Sequence, residues 1–274
     1  MLKRLGFTIL TIVLTALLIV ACKPKEKDAN GPEQDTSKAK FTPKGDEGTI
    51  SGAVNFDGTP PAPKRIDMGQ DPNCAAVAGD KMTEEYVVTD GKLANVYVYL
   101  TGGRIDNFQY DTPPSPVTLD QLGCKYDPHV LGLQTGQTFR VTNSDKATHN
   151  VHPTPKSNPE WNLSQPPGAA PIERKFNRPE TLIPVKCNQH PWMKAYVGVL
   201  AHPFQTVSAK DGSYTIKGVP PGSYTLVAWH ESMGEQKQNI TVNANGTVTQ
   251  DFTFKQGVAY APTSLTVEPA LVLP

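Results

Sequence analysis

The stretch Cys187-Asn188-Gln189-His190-Pro191-Trp192-Met193 offers a thiolate, an imidazole and a thioether at i, i+3 and i+6. A short loop between two strands can wrap three such side chains around one ion. Thiolate and thioether are soft donors suited to copper(I), and imidazole accepts both copper oxidation states. Two His and one Cys in a trigonal set, with a weak axial Met, form a type I copper site. The set therefore needs a second histidine, and Ala147-Thr148-His149-Asn150-Val151-His152 supplies two candidates. Residues three apart on a strand point to opposite faces, so His149 and His152 are not expected to bind one ion together. Structural zinc prefers four Cys or His ligands, and Met serves it poorly, which favours copper. A Cys–His catalytic pair would need an orienting group and an oxyanion hole. The sequence identifies neither, so no enzymatic activity is expected. His129, His202 and His230 sit in strand or turn contexts without a partner motif and read as structural or exposed.

Taken together, the two segments resemble the cupredoxins. That family places its first ligand in a His-Asn-Val segment after a strand ending in Asn. The other three ligands sit in a Cys-x-x-His…Met loop before the last strand. Both are present here in that order, 38 residues apart. The closed loop with Pro after its His looks most like amicyanin, and the resemblance covers roughly Leu93 to Ser208. It implies a Greek-key sandwich with one type I copper, His149, Cys187 and His190 as equatorial ligands and Met193 as axial ligand. Asn150 matches the family Asn whose side chain braces the Cys-bearing loop, which fixes ligand orientation. His152 is then a nearby surface or supporting residue. The implied function is one-electron transfer with a redox partner protein. His190 would present its ring edge at the exposed end, with Pro191 and Trp192 as an apolar docking rim. Two further functions stay open: copper storage or delivery without redox turnover, and a carbohydrate- or protein-binding module with structural copper.

With Cys187 assigned to the metal and Cys22 to a lipid (below), Cys74 and Cys124 remain. Outside the cytoplasm a disulfide between them is expected, the alternative being two buried free thiols. A second resemblance lies further on. Asp211-Gly212-Ser213-Tyr214-Thr215-Ile216, then Gly218-Val219-Pro220-Pro221-Gly222-Ser223-Tyr224 before an apolar strand, is similar to the carboxypeptidase regulatory-like domain, a small prealbumin-type β-sandwich. That family's early Gly-x-Ile/Val-x-Gly-x-Val strand fits Gly48-Thr49-Ile50-Ser51-Gly52-Ala53-Val54. Either 48–66 completes a discontinuous domain with 206–256, or an edge strand precedes the cupredoxin and a separate module follows it. The resemblance implies no peptidase activity.

The elements that must position these residues read as strands. Thr49–Phe56 alternates and stops at Asp57-Gly58-Thr59-Pro60-Pro61, and Leu93–Leu100 is rich in β-branched and aromatic residues. Further strands are expected at Gln137–Asn143, Ala195–Ala201, Ser213–Lys217, Ser223–Trp229, Asn239–Val242 and Val248–Phe254. Many short strands between Gly, Pro, Asn and Asp turns indicate an all-β protein of sandwiches or barrels. No segment beyond the N-terminal apolar run shows a helical period over three turns. Pro153–Glu180 holds seven prolines and Trp161 with no clear strand. A loop that long is usually functional or mobile, so it either covers the metal site or lies disordered on the surface.

The expected organisation is a signal at 1–22, a tether at 23–47, N-terminal strands at 48–92, the cupredoxin at 93–208, the regulatory-like domain at 209–256 and a tail at 257–274. Lys3 and Arg4 precede a 16-residue apolar run, Gly6–Ala21, short of the roughly 20 residues that span a membrane. With Ile19-Val20-Ala21-Cys22 it reads as a secretory signal resembling a bacterial lipobox, with Cys22 lipidated. The protein is thus expected in the cell envelope, anchored to a membrane through its N-terminal lipid. Lys23–Glu47 carries twelve charged residues and reads as disordered. With 26 basic and 26 acidic residues the chain lacks the basic excess of a nucleic-acid binder.

Overall fold

The computed structural model describes residues 37–260. The expected signal with Cys22, most of the tether and the tail from 261 onward lie outside the described residues. From β1 (Ala39–Lys40) the chain lays down β2 (Gly48–Asp57), a short helix α1 (Pro72–Ala78), β3 (Val88–Thr89), β4 (Lys92–Leu93) and β5 (Tyr97–Thr101). After a 3-10 turn at Gly103–Asn107 come β6 (Phe108–Gln109), β7 (Val117–Gln121), β8 (Tyr126–Asp127), β9 (Val130–Gln134) and β10 (Thr138–Asn143). Then follow β11 (His149–Pro153), β12 (Leu163–Gln165), β13 (Ile172–Lys175), β14 (Glu180–Lys186) and β15 (Lys194–Leu200). The last strands are β16 (Gln205–Val207), β17 (Ser213–Val219), β18 (Gly222–His230), β19 (Gly234–Val242), β20 (Thr247–Thr249) and β21 (Phe252–Lys255). The fold is all-β, and no helix among the described residues is long and apolar enough to cross a membrane.

Two sandwiches result. The terminal one is built from both ends of the described chain. One of its sheets runs β16-β5-β18-β19; the other runs β17-β2-β4-β3, with β20 and β21 parallel to β2. Alternation along β17 buries Tyr214, Ile216 and Val219, which join Ile50, Val54, Leu226, Phe252 and Phe254 in one apolar core. The inserted sandwich has sheets β13-β10-β7-β8 and β12-β11-β14-β15-β9 around Leu119, Leu133, Phe139, Val141, Ile183, Val185 and Val197.

Strand β5 explains how they join. Val98 and Leu100 face the terminal core, while Tyr97 and Tyr99 face the other way, onto Val130 and Leu200 of the inserted sandwich. The Tyr97 ring lies across Gly132 and Gly198, register neighbours on β9 and β15. A Cβ on Gly198 would stand 2.2 Å from that ring, so only glycine permits the approach.

Several expectations need correction. The strand anticipated over Leu93–Leu100 is broken at Asn95, whose φ of 60° ends the ladder between β4 and β5. Because β5 pairs with β18, it belongs to the terminal sandwich. The boundary placed at 93–208 therefore contracts to the strands from Val117 to Leu200. The tether expected to Glu47 ends earlier: Ala39–Lys40 pairs with Phe108–Gln109, and Phe41 packs 5.0 Å from Tyr110, ring centre to ring centre. One aromatic side chain anchors a stretch whose average composition is polar. Pro153–Glu180 is not strandless, since it contains β12 and β13. The buried Glu180 carboxylate gathers the amides of Lys156, Ser157 and Asn158, and Trp161 packs against Phe139.

A candidate metal centre

Strands β14 and β15 are antiparallel, with Lys186 opposite Lys194, so Cys187 to Met193 must close as a tight loop at one end of the inserted sandwich. Cys187 N–H donates to the Met193 carbonyl (3.3 Å), and Met193 N–H to the His190 carbonyl (2.9 Å). Strand β11 pairs with β14 through His152 and Lys186, which carries His149 to the same end. Cys187, His190 and Met193 are all buried, and His149 is fully so.

The donor atoms of His149, Cys187 and His190 lie within 4.8 Å of one another. The two Nδ1 atoms face each other at 2.8 Å, and Cys187 Sγ is 3.7 Å from His190 Nδ1. Met193 lies in the apolar cluster that also contains Cys187. Asn150 Oδ1 accepts the amides of Asn188 (2.7 Å) and Gln189 (3.3 Å), and its own N–H reaches Cys187 Sγ (3.5 Å). Asn150 Nδ2 is held by Asn162 Oδ1 at 2.6 Å, and its carbonyl accepts from Tyr126 Oη at 2.6 Å. His152 points away, to Asn188 Oδ1 and the Glu160 carboxylate.

Sequence reasoning missed two carboxylates. His149 Nε2 lies 2.9 Å from Asp145 Oδ2, and His190 Nε2 lies 3.2 Å from Asp71 Oδ2. Burial pushes the His149 imidazole below its usual pKa, and Asp145 only partly offsets this. Burial works to raise the Asp71 carboxyl, but the amides of Cys74 and Asn73 together with His190 hold it below the usual range. The Asp71-Pro72 pair reads locally as a helix N-cap followed by proline, which marks Asp71 as a cap and not as a partner of His190.

Asp71 introduces a segment that covers the site. Cys74 is bonded to Cys124 in a disulfide, and its Sγ is 3.7 Å from His190 Nε2. Ile66, Met68, Cys74, Cys124 and Ala147 form a small apolar cluster against Trp192. The exposure expected of His190 is overturned: only 3% of it meets solvent, because this segment, which branches from the terminal sandwich between β2 and β3, lies over it. Trp192 is half-buried rather than a free rim; its ring packs 5.1 Å from that of His190, and its Nε1–H donates to the Cys124 carbonyl at 2.9 Å. Pro191 is exposed.

The remaining histidines serve the scaffold. His129 bridges the Lys194 carbonyl and the Glu231 carboxylate, tying the two sandwiches together. His202 and His230 are buried in the terminal sandwich, where burial lowers the pKa of each to about 4.

A family model described as Carboxypeptidase regulatory-like domain matches residues 188–255, which run from the Cys187–Met193 loop through β15 to β21. No curated protein matches the chain. Among solved structures, the chain is similar to a Cu-containing nitrite reductase (NirK) from Thermus scotoductus SA-01, at 22% identity and TM-score 0.30, covering 34% of this chain and 24% of that one. The chain thus spans about a quarter of that reductase. A mutant amicyanin in its Cu(I) form is 22% identical at TM-score 0.27, with 32% of this chain and 86% of that one covered. A purple cupredoxin from Nitrosopumilus maritimus is 20% identical at TM-score 0.26, with 30% and 97% covered.

Proposed function

We propose that the inserted sandwich holds one copper ion as a type I centre and exchanges single electrons with a partner protein. One observation carries this reading. Both Nε2 atoms sit on carboxylates, so each histidine keeps its proton there and presents a bare Nδ1 lone pair inward. Two acceptors 2.8 Å apart repel unless a cation lies with them. A second proton on either ring would also relieve them, and burial disfavours it on His149. Adding the Cys187 thiolate and the buried Met193 thioether makes the donor set soft, which fits copper better than zinc.

When bound, copper would supply one-electron chemistry. The chain's part is to keep the ligands still. Asn150 pins the loop amides beside Cys187, and the two aspartates fix ring orientation. Burial of both histidines favours retention of the metal over delivery. The reading includes no catalytic turnover. It places the protein outside the cytoplasm, anchored by a lipid on Cys22; the Lys3–Cys22 pattern and the Cys74–Cys124 disulfide support that address.

The test is copper reconstitution with a visible spectrum. One equivalent should bind and give the intense absorption of a thiolate-to-copper(II) transition. Cys187→Ser should abolish the colour with the fold retained. A colourless wild-type protein, or one that takes zinc in preference, would overturn the reading.

A further inference from the structure

The His190 ring is sealed from outside the sandwich that holds it. Asp71 and Cys74 reach it from 119 and 116 residues away, out of an excursion of the terminal sandwich. That excursion is pinned at its base, where Arg65 bridges Met82 and Ile66 N–H donates to the Lys81 carbonyl at 2.9 Å. At its tip Asp71 caps α1, its Oδ1 accepting from Asn73 N–H (2.8 Å) and Cys74 N–H (3.3 Å), which leaves Oδ2 for His190. The one covalent tie from this tip to the inserted sandwich is the disulfide.

The far side of that bond repeats the arrangement. Cys124 N–H donates to Asp145 Oδ2 at 2.7 Å, Gly123 N–H donates to Asp145 Oδ1 at 2.6 Å, and Asp145 Oδ2 also holds His149 Nε2. A closed ring results: His190, Asp71, Cys74, the disulfide, Cys124, Asp145, His149, and back across the facing Nδ1 atoms to His190. Each histidine is thus fixed by a carboxylate, and each carboxylate by the backbone amide of a disulfide cysteine. Rotation of either ring would break a charge-assisted hydrogen bond at a buried site, where an unmet donor is costly.

We propose that Asp71 is a positioning residue for the His190 ligand, held over it by the Cys74–Cys124 disulfide. The effect on metal binding rests on the copper reading above; the hold on the ring does not. By fixing the proton on Nε2, Asp71 aims the Nδ1 lone pair inward and keeps water from the ring. Loss of comparable partners of metal-bound histidines weakens metal affinity about 10–100-fold.

The experiment uses the full chain in four forms: wild type, Asp71→Ala, Asp71→Asn and the double variant Cys74→Ser/Cys124→Ser. Two quantities are read: copper(II) affinity by competition with a chelator, and exchange of the His190 C2 proton for deuterium in the metal-free chain by mass spectrometry. Asp71→Ala should weaken copper(II) binding about 10–100-fold and speed His190 exchange several-fold. Asp71→Asn, which keeps an acceptor oxygen, should restore most of the slow exchange. The double variant should shift both quantities in the direction of Asp71→Ala. Wild-type affinity and exchange in Asp71→Ala would overturn the proposal. Faster exchange with unchanged affinity would overturn it as well, making the segment a cover and nothing more. A wild-type chain that takes up no copper would sink the copper reading instead; slow exchange kept in Asp71→Asn but lost in Asp71→Ala would then show that Asp71 holds the ring, and equal exchange in the two variants would overturn the proposal.

Discussion

The two sandwiches share a layered plan and differ in what they bury. The terminal core is an unbroken apolar cluster from Ile50 to Phe254, and its buried polar groups include Ser208, bonded to the Val96 amide and the Leu93 carbonyl, and Glu235, which meets Tyr99 and Lys237. The inserted core is as apolar through Phe139, Ile183 and Val197, but at one end it gives way to His149, Asn150, Cys187 and His190. Burying polar groups is unfavourable unless each is hydrogen-bonded. That end meets the condition at the two Nε2 atoms, with Asp145 of its own and Asp71 borrowed from the other sandwich, and leaves the two Nδ1 atoms facing each other. One region is built for stability, and the other holds a poised cluster that its neighbour must complete.

The sharpest way to break this division is to damage the terminal core alone. Phe254 is fully buried there. Phe254→Ala should cost about 3–5 kcal/mol in thermal or urea unfolding. Copper stoichiometry of the folded protein should stay unchanged. A loss of copper binding at temperatures where the fold persists would show that the two regions are not separable.

Acid should expose the same asymmetry with a smaller effect. His202 is almost wholly buried with a pKa near 4, against about 6.5 when unfolded. A depressed histidine pKa means that the unfolded chain binds the proton more readily. Stability from the neutral ring is therefore complete above pH 6.5 and lost as pH falls toward 4. The loss should approach about 3 kcal/mol. His202→Gln should remove about half of the stability lost between pH 7 and 4.5, His230 supplying the rest, and an unchanged profile would remove His202 as a source.

How much of this the sequence discloses depends on distance along the chain. Cys187, His190 and Met193 lie in one loop, so their spacing alone suggested a shared ion, and Asn150 adjoins the only other donor segment. The alternation in β17 and β18 was equally local. Asp71 was invisible as a partner because nothing near it in sequence points to a residue 119 positions on. At seven residues α1 is too short to show a helical period. The break at Asn95 was hidden because the β-forming residues on either side read as one run, while the backbone turn needs only a single positive φ. A pattern of residue types reports faces and donors; it does not report which neighbour folds over them.

The smallest effect concerns Trp192, where the two regions meet. Its ring lies against His190, and its Nε1–H is bonded to the Cys124 carbonyl, so it touches both the ligand loop and the disulfide. Trp192→Phe keeps an aromatic face toward His190 and removes only the N–H. A net hydrogen bond contributes about 1 kcal/mol, which in a domain of this size lowers Tm by about 2–4 °C. The visible spectrum of the copper-loaded protein should not move, because neither the donors nor their carboxylate partners are altered. Trp192→Ala removes the ring as well and should cost more, since it opens a gap between His190 and the Ile66–Met68 cluster. If Trp192→Phe leaves Tm untouched while Trp192→Ala lowers it, the ring alone joins the loop to its cover. If the phenylalanine variant changes the spectrum, the Cys124 bond itself sets the ligand geometry, and the division between a stable sandwich and a poised one would run through this residue rather than beside it.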